Sequence, residues 1–217
     1  MQIRSVFFVG VLLVFMLTGS FLSYSADPSS IQLPNPKKEG GKPLMSALND
    51  RMSARTWSSE KLSMQTLSNL LWAAFGINRP DGRRTAPSAK NWQETDIYVA
   101  TADGVYLYDA KKNVLDTIAT GDIRAITGEQ PYVKDAPVVL IYVADYSKVD
   151  AGSLDKQLLV GADTGLISEN VYLFCASEGL ATVVRALIDR DALAKELKLR
   201  PDQKIILDQC VGYPKKQ

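Results

Sequence analysis

The chain reads as an α+β protein with one long buried helix. Residues 138–144, Val-Val-Leu-Ile-Tyr-Val-Ala, are apolar on both faces, as in a strand covered from both sides. Residues 153–177 contain no Pro and set apolar side chains on nearly every side of a helical wheel, the pattern of a helix with no solvent face. Strand-like and helix-like segments alternate irregularly along the chain, which favours α+β over a doubly wound parallel sheet.

In chain order, residues 1–26 carry one charge, Arg4, then an apolar stretch from Val6 to Leu17 and small residues toward Ala26. This is the layout of an exported protein's signal peptide, cleaved after Ser25 or Ala26. An uncleaved membrane anchor is the second reading, since residues 5–22 approach the ~20 residues that span a bilayer. Export predicts a periplasmic or otherwise extracytoplasmic protein. Residues 27–43, with Pro28, Pro34, Pro36 and the pair Gly40-Gly41, read as a flexible tether, too polar and broken to form an element. The rest, 44–217, suits one domain with a sizeable core.

Within that domain, residues 59–75 show a helical apolar period behind a Ser cap, stopped by Gly76. Residues 77–86 form an arginine-rich loop with turn residues. Residues 96–100 and 105–109 are β-branched and aromatic runs joined by Thr-Ala-Asp-Gly, which predicts a hairpin. The 153–177 helix would run ~36 Å at 1.5 Å per residue. Gly161 and Gly165 would let another backbone approach it, so the helix suits either the core or a subunit interface. Residues 181–184 suggest a short strand, Asp189 caps a helix through Leu197, and residues 204–211 close as a strand.

Composition excludes several kinds of chemistry. The 25 basic residues include Arg4 in the leader; without it 24 remain against 24 acidic residues, too balanced for the basic footprint of a nucleic-acid binder. The chain has no His and two Cys, which excludes a conventional zinc site and the usual Ser-His or Cys-His hydrolase machinery. Cys175 and Cys210 sit in apolar settings and read either as a disulfide that export permits or as two buried thiols. A bound cofactor is the remaining source of chemistry.

Four short runs suggest which cofactor. Arg51-Met52-Ser53-Ala54-Arg55 puts guanidiniums and a hydroxyl at alternate positions, so that in an extended segment Arg51, Ser53, Arg55 and Trp57 share a face. Pro87-Ser88-Ala89-Lys90-Asn91, Glu178-Gly179 and Gly212-Tyr213-Pro214-Lys215 follow in order. Taken singly, these are a solvated stretch, a Pro-Ser turn, a helix C-cap and a frayed terminus. As an ordered set over residues 45–216, they resemble the nitroreductase family of FMN-dependent oxidoreductases.

The resemblance implies a central, mainly antiparallel sheet flanked by helices, and a homodimer with two FMN sites. It gives Arg51 and Ser53 to the FMN phosphate, with Met52 between them, and Arg55 to the ring's pyrimidine edge. Pro87, Ser88, Ala89 and Asn91 pack on the flavin of the other subunit. The backbone at Glu178 and Gly179 approaches the flavin ring, and Lys215 adds a phosphate cation. Lys90 stands where the family commonly has Gly, which puts the local backbone path in question. Arg185 is either a substrate-side cation or a surface charge. No side chain is assigned a catalytic role. The activity implied is two-electron transfer to a small organic acceptor such as a nitroaromatic or quinone. NAD(P)H is the donor if it has access, and export would require another. The alternative is a flavin-binding or interaction protein that keeps the fold without turnover.

Overall fold

The computed structural model describes residues 30–215, so the expected signal segment 1–26 lies outside the described residues. Seven strands form one sheet in the order β1-β4-β3-β2-β5-β7-β6, and every neighbouring pair is antiparallel. The strands are β1 (Ser30–Gln32), β2 (Thr95–Ala100), β3 (Gly104–Asp109), β4 (Val114–Thr120), β5 (Val138–Asp145), β6 (Ala181–Arg185) and β7 (Gln203–Gly212). Among the described residues four α-helices accompany them: α1 (Leu44–Asp50), α2 (Met64–Phe75), α3 (Ser153–Glu178) and α4 (Arg190–Glu196).

The apolar run of β5 has a direct cause. Val138, Leu140 and Tyr142 pack into the core shared with α2 and α3, while Val139, Ile141 and Val143 pack into a second core with Leu193 of α4. Both faces are covered, so all eight β5 residues are buried. The β2–β3 hairpin forms as the sequence predicts. Asp189 caps α4 by accepting the Ala192 amide.

Three segments differ from expectation. The α2 helix begins at Met64 rather than residue 59, because Ser63 accepts the Thr66 amide at 3.0 Å and so satisfies an otherwise free N-terminal donor. Residues 30–42, expected to be a tether, are pinned to the domain. Ser30–Gln32 pairs with β4, Leu33 is 2 % exposed, and the Pro34 carbonyl accepts from Ser68 Oγ and Asn113 Nδ2. The Lys37 amide donates to Asn69 Oδ1, and the Lys42 amide to Ser177 Oγ. Proline removes amide donors but leaves carbonyls free, and a polar segment can follow a surface when such partners exist.

The third difference is the solvent face of α3. Val160, Ile167, Val171 and Cys175 are fully buried in the subunit, but Leu154, Leu158 and Leu166 are 79, 68 and 45 % exposed. With Ala162 and Gly165, also exposed, they form one stripe along the outer side of the helix. A Cβ at Gly161 or Gly165 would meet nothing within 4 Å, so these glycines are not needed for packing inside the subunit.

Candidate cofactor site

After α1 the backbone turns extended at Arg51 and runs beside the end of the sheet. The Ala54 amide donates to the Thr182 carbonyl at 2.9 Å, Trp57 Nε1 to the Ala181 carbonyl at 3.0 Å, and the Ser58 amide to the Tyr213 carbonyl at 2.9 Å. Trp57 enters the core at 7 % exposure, whereas Arg51 and Arg55 stay exposed. The alternation seen in the sequence therefore leads these residues to two environments, because the indole is drawn into the apolar cluster around Tyr132.

The stapled segment walls a cavity of about 570 Å³, with Arg51 and Met52 on one side and Tyr172, Gly179, Thr182 and Pro214 on the other. The Arg51 guanidinium lies 5.5 Å from the Tyr172 ring centroid, within cation–π range. Tyr172 Oη accepts the Val184 amide at 3.0 Å and shares a 2.8 Å hydrogen bond with Ser53 Oγ. Among the described residues neither Arg51 nor Arg55 has a carboxylate partner. Ser53 and Arg55 do not themselves line this cavity.

Gly179 ends α3 in the left-handed conformation (φ 69°, ψ 30°), its amide reaching back to the Cys175 carbonyl. Helix termination thus puts Gly179 in the cavity wall. Glu178 does not line this cavity; with Ser177 it lines a neighbouring groove that meets the cavity at Lys42. Lys215 borders an adjoining cavity that shares Gly179 and Pro214 with the first, so Arg51 and Lys215 flank the same two residues.

The run 87–91 lies elsewhere on α3. Lys90 (φ 49°), Asn91 (φ 58°) and Gln93 (φ 48°) all occupy the left-handed region. The backbone path that glycine favours is therefore kept with lysine in it, at a cost of roughly 1–2 kcal/mol. Lys90 Nζ donates to the Asp150 carbonyl at 3.1 Å and lies 5.5 Å from the Trp92 ring centroid. The turn is held by Ser88 Oγ accepting the Gln93 amide and by Asp163 Oδ2 accepting the Ala89 amide.

Asp163 precedes Tyr172 by nine residues and Gly179 by sixteen, which is about 14–24 Å along a helix. One chain therefore does not close the 51–55 and 87–91 segments around a single cavity. Next to the turn, Glu94 is fully buried and neither of its carboxylate oxygens has a hydrogen-bond partner among the described residues. Burial pushes its carboxyl up to about 7, and the Asp163 charge adds to the effect.

Sequence reasoning missed Tyr172, Thr182 and Asp163. A lone Tyr or Asp within a helix gives no signal of what it will meet. Arg185, read as a substrate-side or surface cation, is 5 % exposed and forms a buried ion pair with Asp208, with a further hydrogen bond to Gln130. Strand β6 turns it into the second core, away from the Arg51 cavity. Cys175 and Cys210 are free buried thiols, and burial raises both, Cys210 to about 12. Among the described residues there is no cluster of candidate metal ligands, and no helix long and apolar enough to cross a membrane.

A nitroreductase-family profile matches residues 48–213, which takes in the Arg51 segment, the 87–91 turn, Tyr172 and Gly179. The chain belongs to the nitroreductase family. Membership implies an oxidoreductase. A Methanocaldococcus jannaschii protein named "Putative nitroreductase MJ1384" is 32 % identical over 177 residues, covering 76 % of this chain and 88 % of that one. A crystal structure from Ralstonia eutropha JMP134, described as a "putative nitroreductase", superposes with a TM-score of 0.83 at 38 % identity, over 87 % of this chain and 90 % of that chain. The NADPH:FMN oxidoreductase from Vibrio harveyi, solved in complex with NAD+, shares the nitroreductase fold at a TM-score of 0.60 and 19 % identity, over 80 % of this chain and 69 % of that one.

Proposed function

We propose that this nitroreductase is an exported, homodimeric, FMN-dependent oxidoreductase that delivers two electrons to a small organic acceptor such as a nitroaromatic or a quinone. The observation that carries the reading is Arg51, a guanidinium with no carboxylate partner among the described residues at the wall of the 570 Å³ cavity. That volume falls in the range of cofactor pockets, roughly 300–1,000 Å³. A planar guanidinium suits a phosphate, which accepts bidentate, charge-assisted hydrogen bonds.

FMN, when bound, supplies two-electron chemistry with a donor and an acceptor in turn. In this reading Arg51, Ser53 and Lys215 hold the phosphate, and Met52 packs beside it. Arg55 offers positive charge to the pyrimidine edge. The Glu178-Gly179 backbone, exposed at the end of α3, lies against the ring. The partner subunit's Pro87–Asn91 segment, with Ser88, Ala89 and the Asn91 amide, completes the enclosure. Support for the shared arrangement comes from the 14–24 Å separation along α3 and from its exposed apolar stripe. With no His in the chain, protons for the reduced product come from solvent. The donor is NAD(P)H where it has access, and another reductant outside the cytoplasm.

The test is the colour and redox behaviour of the purified protein. It should be yellow and release FMN on heating, and after photoreduction it should be reoxidised rapidly by quinones or nitroaromatics. Colourless protein that ignores added FMN would overturn the cofactor assignment. Reduced protein that holds its electrons against every acceptor would instead favour a non-catalytic flavin-binding role.

A further inference from the structure

A second cavity, of about 610 Å³, opens between the start of α2, the β2–β3 turn and the 134–138 segment. It shares no lining residue with the Arg51 cavity, and meets the adjoining cavity at Trp57, Ser59 and Lys215. Its floor is made of core residues, Leu67, Leu115 and Val138, each less than 5 % exposed. Met64, 41 % exposed, stands at its edge. Such a floor selects an apolar body, since polar groups set against it would lose hydration without compensation.

The polar lining selects the other end of the ligand. Lys61, Arg124, Lys134 and Lys215 line the cavity with only two carboxylates, Asp103 and Asp135, in a chain whose charges are otherwise balanced. Two of the cations are committed: Lys61 to Asp103, and Arg124 to Asp122 and the Ala136 carbonyl. Lys134 and Lys215 have no carboxylate partner among the described residues. Tyr106 is only 9 % exposed, and its hydroxyl makes no hydrogen bond among the described residues. That hydroxyl lies 3.3 Å from where a Gly104 Cβ would stand, beside the Thr101–Asp103 turn that forms part of the lining. A hydroxyl without a protein partner at the cavity lining can donate to an acceptor placed there.

We propose that this cavity is a binding site for an amphipathic carboxylate, with an acyl or aromatic body on Leu67, Leu115 and Val138 and an anionic head held by Lys134 and the Tyr106 hydroxyl. Lys134 and Tyr106 line neither of the two cavities given to the flavin, so the assignment does not depend on that reading.

Decanoate, decanol and decyltrimethylammonium, titrated calorimetrically into the full chain with and without added FMN, test the assignment. Decanoate should bind one per chain, at least about fivefold more tightly than decanol, and the ammonium compound should not bind. Met64→Trp, at a partly exposed position, should block the cavity. Lys134→Glu should weaken decanoate about fivefold or more while leaving decanol unchanged, and Tyr106→Phe should weaken decanoate about tenfold. Equal binding of decanol and decanoate would overturn the carboxylate class. Decanoate binding that survives Met64→Trp, or that competes with FMN, would overturn the location, and no binding at all would overturn the site.

Discussion

Asp163 Oδ2 accepts the Ala89 amide at 2.8 Å, and so ties the 87–91 turn to the middle of the helix whose far end forms the Arg51 cavity. The two cofactor-binding segments named from the sequence are thus held by one rigid element, at a separation of about 14–24 Å. Asp163 anchors the turn, and the left-handed residues inside it carry the strain.

The strain at Lys90 is measurable. Lys90→Ala and Lys90→Gly both remove the hydrogen bond to Asp150 and the contact with Trp92, but only glycine adopts φ near 49° without a Cβ penalty. The Gly variant should be more stable than the Ala variant by about 1 kcal/mol in urea unfolding, after allowing for glycine's greater backbone entropy. Equal stabilities would show that the turn relaxes elsewhere.

Glu94 predicts a pH dependence whose sign follows from its raised carboxyl. Folded Glu94 takes up its proton with a value of about 7 against an ordinary 4.5, so the folded state binds that proton more tightly than the unfolded state. Its contribution is fully present below pH 4.5 and is lost as pH rises through 7. Glu94→Gln should match the wild type near pH 4.5 and be the more stable protein at pH 8. Asp208, also raised to about 7 by burial, titrates in the same window, so the informative quantity is the difference between wild type and variant. A difference independent of pH would refute the assignment.

Arg51→Ala should weaken FMN about ten- to hundredfold, the loss of a charge-assisted hydrogen bond worth about 1.5–3 kcal/mol. Riboflavin, which lacks the phosphate, should hardly respond. Fluorescence titration of both ligands decides it: equal losses would place Arg51 elsewhere on the flavin.

Gly165→Leu should act in opposite directions on the subunit and on the dimer. Inside the subunit a side chain at Gly165 meets nothing within 4 Å, and leucine is the better helix former by several tenths of a kcal/mol. Against a partner helix the same side chain would block close approach. Light scattering at low micromolar concentration should find a dimer for the wild type and a shift to monomer for the variant. A wild-type monomer that still holds FMN tightly would refute the shared site.

The sequence by itself determined what local pattern can specify. The period of β5, the β2–β3 turn, the Asp189 cap and the Pro-free run of α3 each depend on neighbours a few residues away, and each formed where the pattern placed it. The family's ordered motifs were legible for the same reason, since each is a short contiguous string. Only the tertiary structure decided what depends on distant partners. Polar residues 30–42 became part of the fold because β4, Asn69 and Ser177 accept and supply their hydrogen bonds. Arg185 became a buried ion-pair partner because β7 places Asp208 opposite it. Lys90 could take a glycine's conformation because Asp163, more than seventy residues away, holds the neighbouring amide. A linear pattern records which groups a segment offers, but burial and pairing are set by what the rest of the chain brings to meet them.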